Sequence, residues 1–155
     1  MKVFLSGDPG QSGCFCALSE HNDIAFKDWT NSTDEMLDWL KVYKDSHNVV
    51  MTKIEDVHSI FGASAKSNFN FGRNFGIMIG LVRALRLPIA YVQPKIWQKH
   101  LGVKQKGKAI KKEVAEILCG MYPGLDKQLY TPRGRLIDGR SDALGIAHYC
   151  KFKHK

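Results

Sequence analysis

The feature that most constrains the fold is an isolated apolar run at residues 49–54, VVMTKI, which follows a predicted helix and has no hairpin partner nearby. Apolar and β-branched residues fill most of it, as in strands that are buried on both faces of a sheet. A strand reached through a helical crossover pairs in parallel with its neighbour. The sequence therefore predicts a central parallel strand that ends at Glu55.

Four more runs complete the predicted sheet. Residues 2–7, 14–19 and 24–29 are short hydrophobic segments joined by polar turns, a pattern typical of an antiparallel meander. Residues 89–92 predict a fifth strand. We expect a mixed five-stranded sheet, with three antiparallel strands plus two parallel ones.

Helical periodicity accounts for much of the remaining chain. Ser32 and Glu35 have the spacing of a capping box, and Phe71, Phe75, Met78, Val82 and Leu85 form a predicted core stripe. The predicted helices cover about residues 32–46, 65–87, 94–101, 110–121 and 137–151, and residues 122–136 are predicted to form a polar loop. Helices around a mixed sheet define an α/β layer fold, here a single domain of residues 1–155.

The chain is basic, with 23 Lys and Arg against 15 Asp and Glu and a formal net charge of +8. A basic balance makes nucleic acid the first candidate partner, although solubility alone is an equally good explanation until the charge is located. The positive charge is concentrated in residues 95–112, a segment with many basic residues and no acidic one. Its basic residues are Lys95, Lys99, His100, Lys104, Lys106, Lys108, Lys111 and Lys112.

The remaining special residues favour an ordinary core. Cys14, Cys16, Cys119 and Cys150 contain no CxxC pair and are predicted to be reduced thiols. Trp29, Trp39 and Trp97 are expected in the core, and His148 is expected to face core or solvent. No apolar run is long enough for a signal peptide core or a membrane span, so we expect a cytoplasmic protein without membrane contact.

Four carboxylates are the candidate catalytic and metal-binding groups. Asp8 ends the first strand, Glu55 ends the central strand, and Asp138 and Asp142 lie one helical turn apart in the last helix. Taken singly, each has a simpler explanation as a turn residue, a helix cap or a surface acid. Together they would repel one another unless hard cations neutralised them. Two Mg²⁺ ions about 3.5–4 Å apart, with Mn²⁺ as a substitute, suit phosphodiester hydrolysis.

Three segments resemble the RuvC family of Holliday junction resolvases, which has an RNase H-like fold. They are GDPGQSG at residues 7–13, KIEDVHSIF at 53–61 and DGRSDALGIA at 138–147. The resemblance implies that Asp8 bridges two metals, Glu55 holds the leaving-group metal, and Asp142 with Asp138 holds the other. The family usually has an acid or His three residues before the Asp of its Asp-Ala-Leu motif. Gly139 stands at that position here, and we expect Asp138 to substitute.

A second candidate DNA surface follows Glu55. Lys66, Phe69, Asn70, Arg73 and Asn74 combine cations and amides that suit phosphates with an aromatic ring that can stack on a base. The family resemblance implies contact with the junction centre here, and Phe71 is assigned to the core stripe instead. Arg133, Arg135 and Arg140 flank the last acids, where they would either bind the scissile phosphate or be solvated.

The resemblance implies an endonuclease that resolves four-way or other branched DNA by paired nicks. Paired nicks imply a homodimer, and the Gly-containing long helix is the candidate dimer contact. Three alternatives stay open. The first is an RNase H-like nuclease that cuts flaps or hybrids, and the second is a DNA-binding module without catalysis. The third is a sugar-kinase or actin-type ATPase, whose first phosphate loop the segment 8–13 also resembles, although a second Gly-rich phosphate loop is lacking.

Overall fold

The computed structural model describes residues 1–58 and 60–154, apart from the side chain of Asp138. Its centre is a five-stranded sheet of order β3-β2-β1-β4-β5. The strands are β1 (Lys2–Asp8), β2 (Cys14–Ser19), β3 (Ile24–Asp28), β4 (Asn48–Glu55) and β5 (Ile89–Val92). The first three form the antiparallel meander, whereas β4 is parallel to both β1 and β5. The predicted mixed sheet and the central position of the strand that ends at Glu55 are confirmed.

Within the described residues, six helices connect and cover the strands. They are α1 (Thr33–Ser46), α2 (Ala65–Ala84), α3 (Pro94–Leu101), α4 (Ala109–Met121), α5 (Asp126–Leu129) and α6 (Asp138–Phe152). Five of them follow the predicted periodicity, and the side chain of Ser32 accepts the Glu35 backbone N–H at 3.3 Å as a capping box requires. The short α5 was missed because a single turn lies inside the predicted polar loop.

Each face of the sheet packs against its own set of helices. Phe15, Ile54 and Met78 belong to the core formed with α1 and α2, whereas Cys14, Trp97 and Leu144 belong to the core formed with α3, α4 and α6. Because β1 and β2 lie between both cores, their side chains are buried on both sides. The cysteines that the structure describes all carry free thiols. No helix among the described residues is long and apolar enough to cross a bilayer.

Side-chain contacts anchor helix α6 to two strands of the sheet, β1 and β3. The hydroxyl of Ser6 on β1 donates a hydrogen bond to the carbonyl oxygen of Ala143. Arg140 forms a bidentate ion pair with Asp28 on β3, with N···O distances of 2.9 and 2.8 Å. These contacts hold the first turns of α6 against the end of β1.

His148 lies in an aromatic cluster on the α6 side of the sheet. Its Nδ1 atom is 2.8 Å from the Tyr122 hydroxyl, and its ring centroid is 4.8 Å from that of Phe152 and 5.6 Å from that of His100. Burial, assisted by the charges of His100 and Lys151, lowers the pKa of His148 from 6.5 to about 4. The folded protein therefore resists protonation at a position where the unfolded chain accepts a proton.

Acidification is expected to lower the free energy of unfolding, because the pKa of His148 is lower in the folded protein than in the unfolded chain. Since the unfolded chain protonates first, the contribution is present above about pH 6.5 and is lost as the pH falls towards about 4. In His148→Gln, which stays neutral, the free energy of unfolding should fall less than in the wild type between about pH 7 and about pH 5. Urea denaturation of both proteins at both pH values measures this. An equal fall in the two proteins would contradict the expectation.

Candidate active site

Two buried carboxylates meet at the end of adjacent parallel strands. In the β1–β4 pairing Gly7 lies opposite Ile54, so the next residues, Asp8 and Glu55, come together at one edge of the sheet. Asp8 is 6% exposed and Glu55 is 9% exposed. The carboxyl ends of strands are where α/β sheets commonly place ligands.

Asp142 joins the pair from α6. Ser6, two residues before Asp8, bonds to the carbonyl of Ala143, and this contact brings the helix turn that carries Asp142 over the end of β1. The three carboxylates line a cavity of about 370 Å³. The other lining residues are Gly10, Gln11, Ser12, Phe71, Lys111 and Gly139.

The acids of this cavity strongly affect one another. Burial raises the pKa of Asp8 well above its usual range, and the charges of Asp142 and Glu55 raise it further, against the Gly10 backbone N–H at 3.0 Å and the charge of Lys111. Burial also raises the pKa of Glu55, against a hydrogen bond from Trp97 and the charge of Lys111. Three neighbouring carboxylates are therefore costly to ionise together without an added cation.

The donor set fits a hard divalent cation. Carboxylate oxygens are the ligands that Mg²⁺ prefers, and Asp8, Glu55 and Asp142 supply them in one cavity. Among the described side chains, however, no three Asp, Glu, His or Cys groups lie close enough together to hold a metal ion as they stand. The three carboxylates thus supply suitable donor atoms around one cavity, but they do not form a preassembled metal cluster.

The predicted fourth carboxylate, Asp138, is the first residue of α6, and its side chain lies outside the described residues. Its neighbour Gly139 explains why this chain departs from the family pattern. A Cβ atom at Gly139 would overlap the carbonyl oxygen of Ser12. Because the backbones of α6 and the 9–13 turn touch here, position 139 has no room for an acid or a histidine.

The residues predicted to bind DNA on α2 divide into two groups. Lys66, Phe69 and Arg73 are exposed, and Asn70 is half-buried. Asn74 is only 8% exposed, so its prediction as a surface residue is wrong. It lies one helical turn before the buried Met78 and therefore on the inner face of α2.

Two aromatic residues, Phe71 and Phe61, differ from expectation or were overlooked. Phe71 was assigned to the core stripe, but it is half-buried and lines the acidic cavity. Phe61, in the loop before α2, is fully exposed. Phe71 shares a helix face with Phe75 and Met78, which pack in the core. It lies one turn earlier, at the end of the sheet, where the cavity begins.

The basic segment predicted from the sequence lies on α3, the following loop and α4. Lys95, Lys99, Lys104, Lys106, Lys108 and Lys112 are exposed. Lys111 lines the acidic cavity. Two acids that follow this segment in the sequence contact it. Glu113 accepts hydrogen bonds from the backbone N–H groups of Lys104 and Gln105 at 2.8–3.1 Å. Glu116 lies 3.8 Å from Lys112.

The arginines near α6 have different roles. Arg140, considered above as a phosphate ligand, is bound to Asp28 and also donates to the Gln128 carbonyl oxygen at 2.7 Å, so it fastens α6 to the sheet. Arg133 and Arg135 are exposed on a turn that is closed by hydrogen bonds to Thr131. These two remain available for solvent or a ligand.

Trp97 is the residue of the site that sequence reasoning classed only as core. It is fully buried, and its indole Nε1 donates a hydrogen bond to Glu55 Oε1 at 3.0 Å. A signal was present in the sequence, since α3 directly follows β5, the parallel neighbour of β4. The start of that helix must lie at the same sheet edge as Glu55.

A mixed sheet with an acidic cavity at the ends of β1 and β4 defines an RNase H-like α/β fold. RuvC of Thermus thermophilus in complex with a Holliday junction substrate has a similar structure: the match covers 99% of this chain and 97% of that chain, with a TM-score of 0.60 and 16% sequence identity. A second T. thermophilus RuvC structure matches 97% of this chain and 96% of its own, with a TM-score of 0.54 and 15% identity.

No protein-family model matches the sequence, and no curated protein matches it significantly. The structural matches, in contrast, confirm the resemblance to RuvC that was seen in three short segments. They extend it over nearly the whole chain, at the level of the fold.

Proposed function

We propose that the protein is a Mg²⁺-dependent endonuclease that resolves four-way and other branched DNA by paired symmetric nicks. The observation that carries the proposal is the cavity at the sheet edge, where Asp8, Glu55 and Asp142 meet beside Lys111. A DNA-binding module without catalysis has no use for buried carboxylates with raised pKa values. The fold supports the choice, because a RuvC with this fold has been solved with a Holliday junction substrate.

Asp8, Glu55 and Asp142 are the residues proposed to hold Mg²⁺, or Mn²⁺ in its place, with Asp138 as a fourth ligand and two ions per site. Such ions, when bound, supply charge neutralisation and Lewis-acid assistance to phosphodiester hydrolysis. The carboxylates of the chain would hold and position the cations, and Lys111 would add positive charge for a bound phosphate. Burial leaves little of Asp8 and Glu55 exposed to bulk water.

The proposed DNA surface has two parts. The first consists of the exposed lysines of α3 and the 102–108 loop, and the second consists of Lys66, Phe69, Asn70 and Arg73 on α2. Lys66 and Asn70 line a groove together with Gln11 and Phe71, which also line the acidic cavity. Each lysine that neutralises a phosphate adds roughly one unit to the salt dependence of binding. Arg133 and Arg135 offer two further exposed cations next to α6. Phe69 offers a ring that can stack on an unpaired base.

Paired nicks in a symmetric junction call for two active sites related by a two-fold axis, and hence a homodimer. The face of α2 that carries Gly72, Gly76 and Gly80 supports this part of the proposal. All three glycines are exposed, and an added Cβ atom would meet nothing within 4 Å. A smooth helix face of this kind permits close approach of a second copy.

The test is a comparison of substrates with purified protein and Mg²⁺. A labelled four-way junction, a flap, a linear duplex and an RNA/DNA hybrid are incubated in parallel, and the positions of the nicks in the junction are mapped. The expected result is fastest cleavage of the junction, with symmetric nicks in opposite strands. Preferred cleavage of the flap or hybrid would reassign the substrate, and junction binding without cleavage of any DNA would refute the nuclease. ATP hydrolysis in the same reactions would favour the ATPase alternative.

A further inference from the structure

One oxygen of the Glu55 carboxylate is fixed by a group outside the acidic cavity. The indole Nε1 of Trp97 donates to Glu55 Oε1 at 3.0 Å, and both side chains are buried. This distance is that of a well-formed N–H···O hydrogen bond. Because one carboxylate oxygen is held, the carboxylate cannot rotate freely, and the position of its second oxygen is set as well.

The positions of helices α3 and α6 allow the Trp97 indole to reach Glu55. Helix α3 begins with Pro94 directly after β5 and turns Trp97 and Leu101 inwards. On α6, a Cβ atom at Gly145 would come within 2.7 and 3.0 Å of the Trp97 ring, closer than real Cβ contacts. A glycine inside a helix costs roughly 1 kcal/mol relative to alanine, but here only glycine leaves room for the indole.

Packing alone does not account for this arrangement. A buried indole needs a hydrogen-bond acceptor, and many backbone carbonyls would serve. The acceptor here is instead a candidate cation ligand whose strand neighbours Asp8 at the sheet edge. Groups that hydrogen-bond to a metal ligand orient it and are worth about 10–100-fold in metal affinity or activity.

We infer that Trp97 is a positioning residue, whose indole N–H holds Glu55 in the orientation that binds a divalent cation beside Asp8, with Gly145 providing the space for the ring. The inference rests on the proposed function, since it assigns Glu55 to the cation site. It concerns a residue outside the carboxylate set and predicts a defect in cation binding that can be measured without DNA.

The experiment compares Trp97→Phe, which removes the N–H donor and keeps an aromatic ring, with Trp39→Phe. Trp39 is a control of the same residue type: it is half-buried and packs on Phe15 in the opposite core, with ring centroids 6.3 Å apart. Mn²⁺ binding to each DNA-free protein is measured by electron paramagnetic resonance, and the Mg²⁺ half-saturation of cleavage is measured alongside. Junction affinity in Ca²⁺ and the melting temperature complete the set.

The expected result is a weakening of Mn²⁺ binding by about 10–100-fold in Trp97→Phe, with a matching rise in the Mg²⁺ half-saturation. Junction affinity should stay unchanged, and Trp39→Phe should bind Mn²⁺ as the wild type does. A general packing defect would lower the melting temperature of both variants without this difference. Wild-type Mn²⁺ affinity in a folded Trp97→Phe protein would overturn the inference.

A second variant keeps the inference testable if Trp97→Phe does not fold. Gly145→Ala retains the indole but forces its ring to shift from its present position, which disturbs the hydrogen bond to Glu55, so Mn²⁺ binding should weaken as well. Unchanged Mn²⁺ affinity in Gly145→Ala would then decide against the inference. Failure of the proposed function is distinguishable, because a wild type that binds Mn²⁺ but cuts no DNA still allows the Mn²⁺ comparison.

Discussion

Replacing Asp8 with asparagine is expected to abolish metal-dependent DNA cleavage while DNA binding persists. Asp8 lies between the other two carboxylates of the cavity, and the charges of both Asp142 and Glu55 act on it. An amide of the same shape cannot supply the negative charge that a cation needs. Since residues of one catalytic unit act together, loss of one should lower the cleavage rate by about 10³-fold or more.

The same substitution should stabilise the protein in the absence of divalent cations. Burial and the neighbouring acids raise the folded-state pKa of Asp8 above its unfolded value. The unfolded chain therefore releases the proton first as the pH rises, and folding becomes less favourable between the two pKa values and stays so at higher pH. An asparagine does not ionise, so Asp8→Asn avoids this loss.

Single-turnover cleavage of a four-way junction, junction affinity in Ca²⁺ and melting temperatures with and without Mg²⁺ measure these effects. Asp38→Asn is a suitable control, since Asp38 is an exposed acid on α1. Wild-type cleavage by Asp8→Asn would remove the carboxylate cavity from the mechanism. A lower melting temperature for the metal-free variant than for the metal-free wild type would contradict the electrostatic account.

Substitutions at Gly139 should destabilise the protein severely, including the one that introduces the acid usual in the family. A Cβ atom at this position overlaps the Ser12 carbonyl oxygen, which is backbone and cannot rotate away. Gly139→Ala should lower the free energy of unfolding by about 3 kcal/mol, as overpacking that displaces backbone does. Gly139→Asp should lose cleavage rather than gain it, because the 9–13 turn that lines the cavity is displaced.

Chemical denaturation and junction cleavage measure the two variants. Gly120→Ala provides the matched comparison, since an added Cβ atom at Gly120 on α4 meets nothing within 4 Å. That change should raise the free energy of unfolding by roughly 0.5–1 kcal/mol, because alanine is the better helix former. If Gly139→Asp kept wild-type stability and cut faster, the close approach of α6 to the turn would be refuted.

The order of strands and helices was predictable because hydrophobic periodicity and turn residues carry it. The apolar run that ends at Glu55 was best explained as a central strand, and the motif around Asp8 marked the end of β1. The same reasoning places Asp8 and Glu55 at one sheet edge, where the structure has them. Asp142 followed from the helical period of the last segment, and it too lines the cavity.

What escaped prediction depends on contacts between distant elements. The hydrogen bond from Trp97 to Glu55 joins residues 42 positions apart, and the Arg140–Asp28 pair joins residues 112 apart. The order of β5 and α3 indicated the sheet edge at which Trp97 lies, but no local sequence pattern indicated either pairing. Phe71 was misassigned for another reason: periodicity assigns a residue to a helix face, but it does not say where along that face the core ends. Asn74 was misassigned because its polar side chain outweighed its spacing of four residues from Met78, which places it on the inner face.

The Glu113 carboxylate has a consequence for the rate of the proposed DNA binding. By accepting the backbone N–H groups of Lys104 and Gln105, it holds the basic loop in one conformation. Ordering a flexible loop on binding costs roughly 1–2 kcal/mol of backbone entropy per residue, and a loop that is already ordered avoids that loss. Association with DNA should then proceed as the docking of a preformed surface, with a rate governed by electrostatic encounter rather than by loop rearrangement.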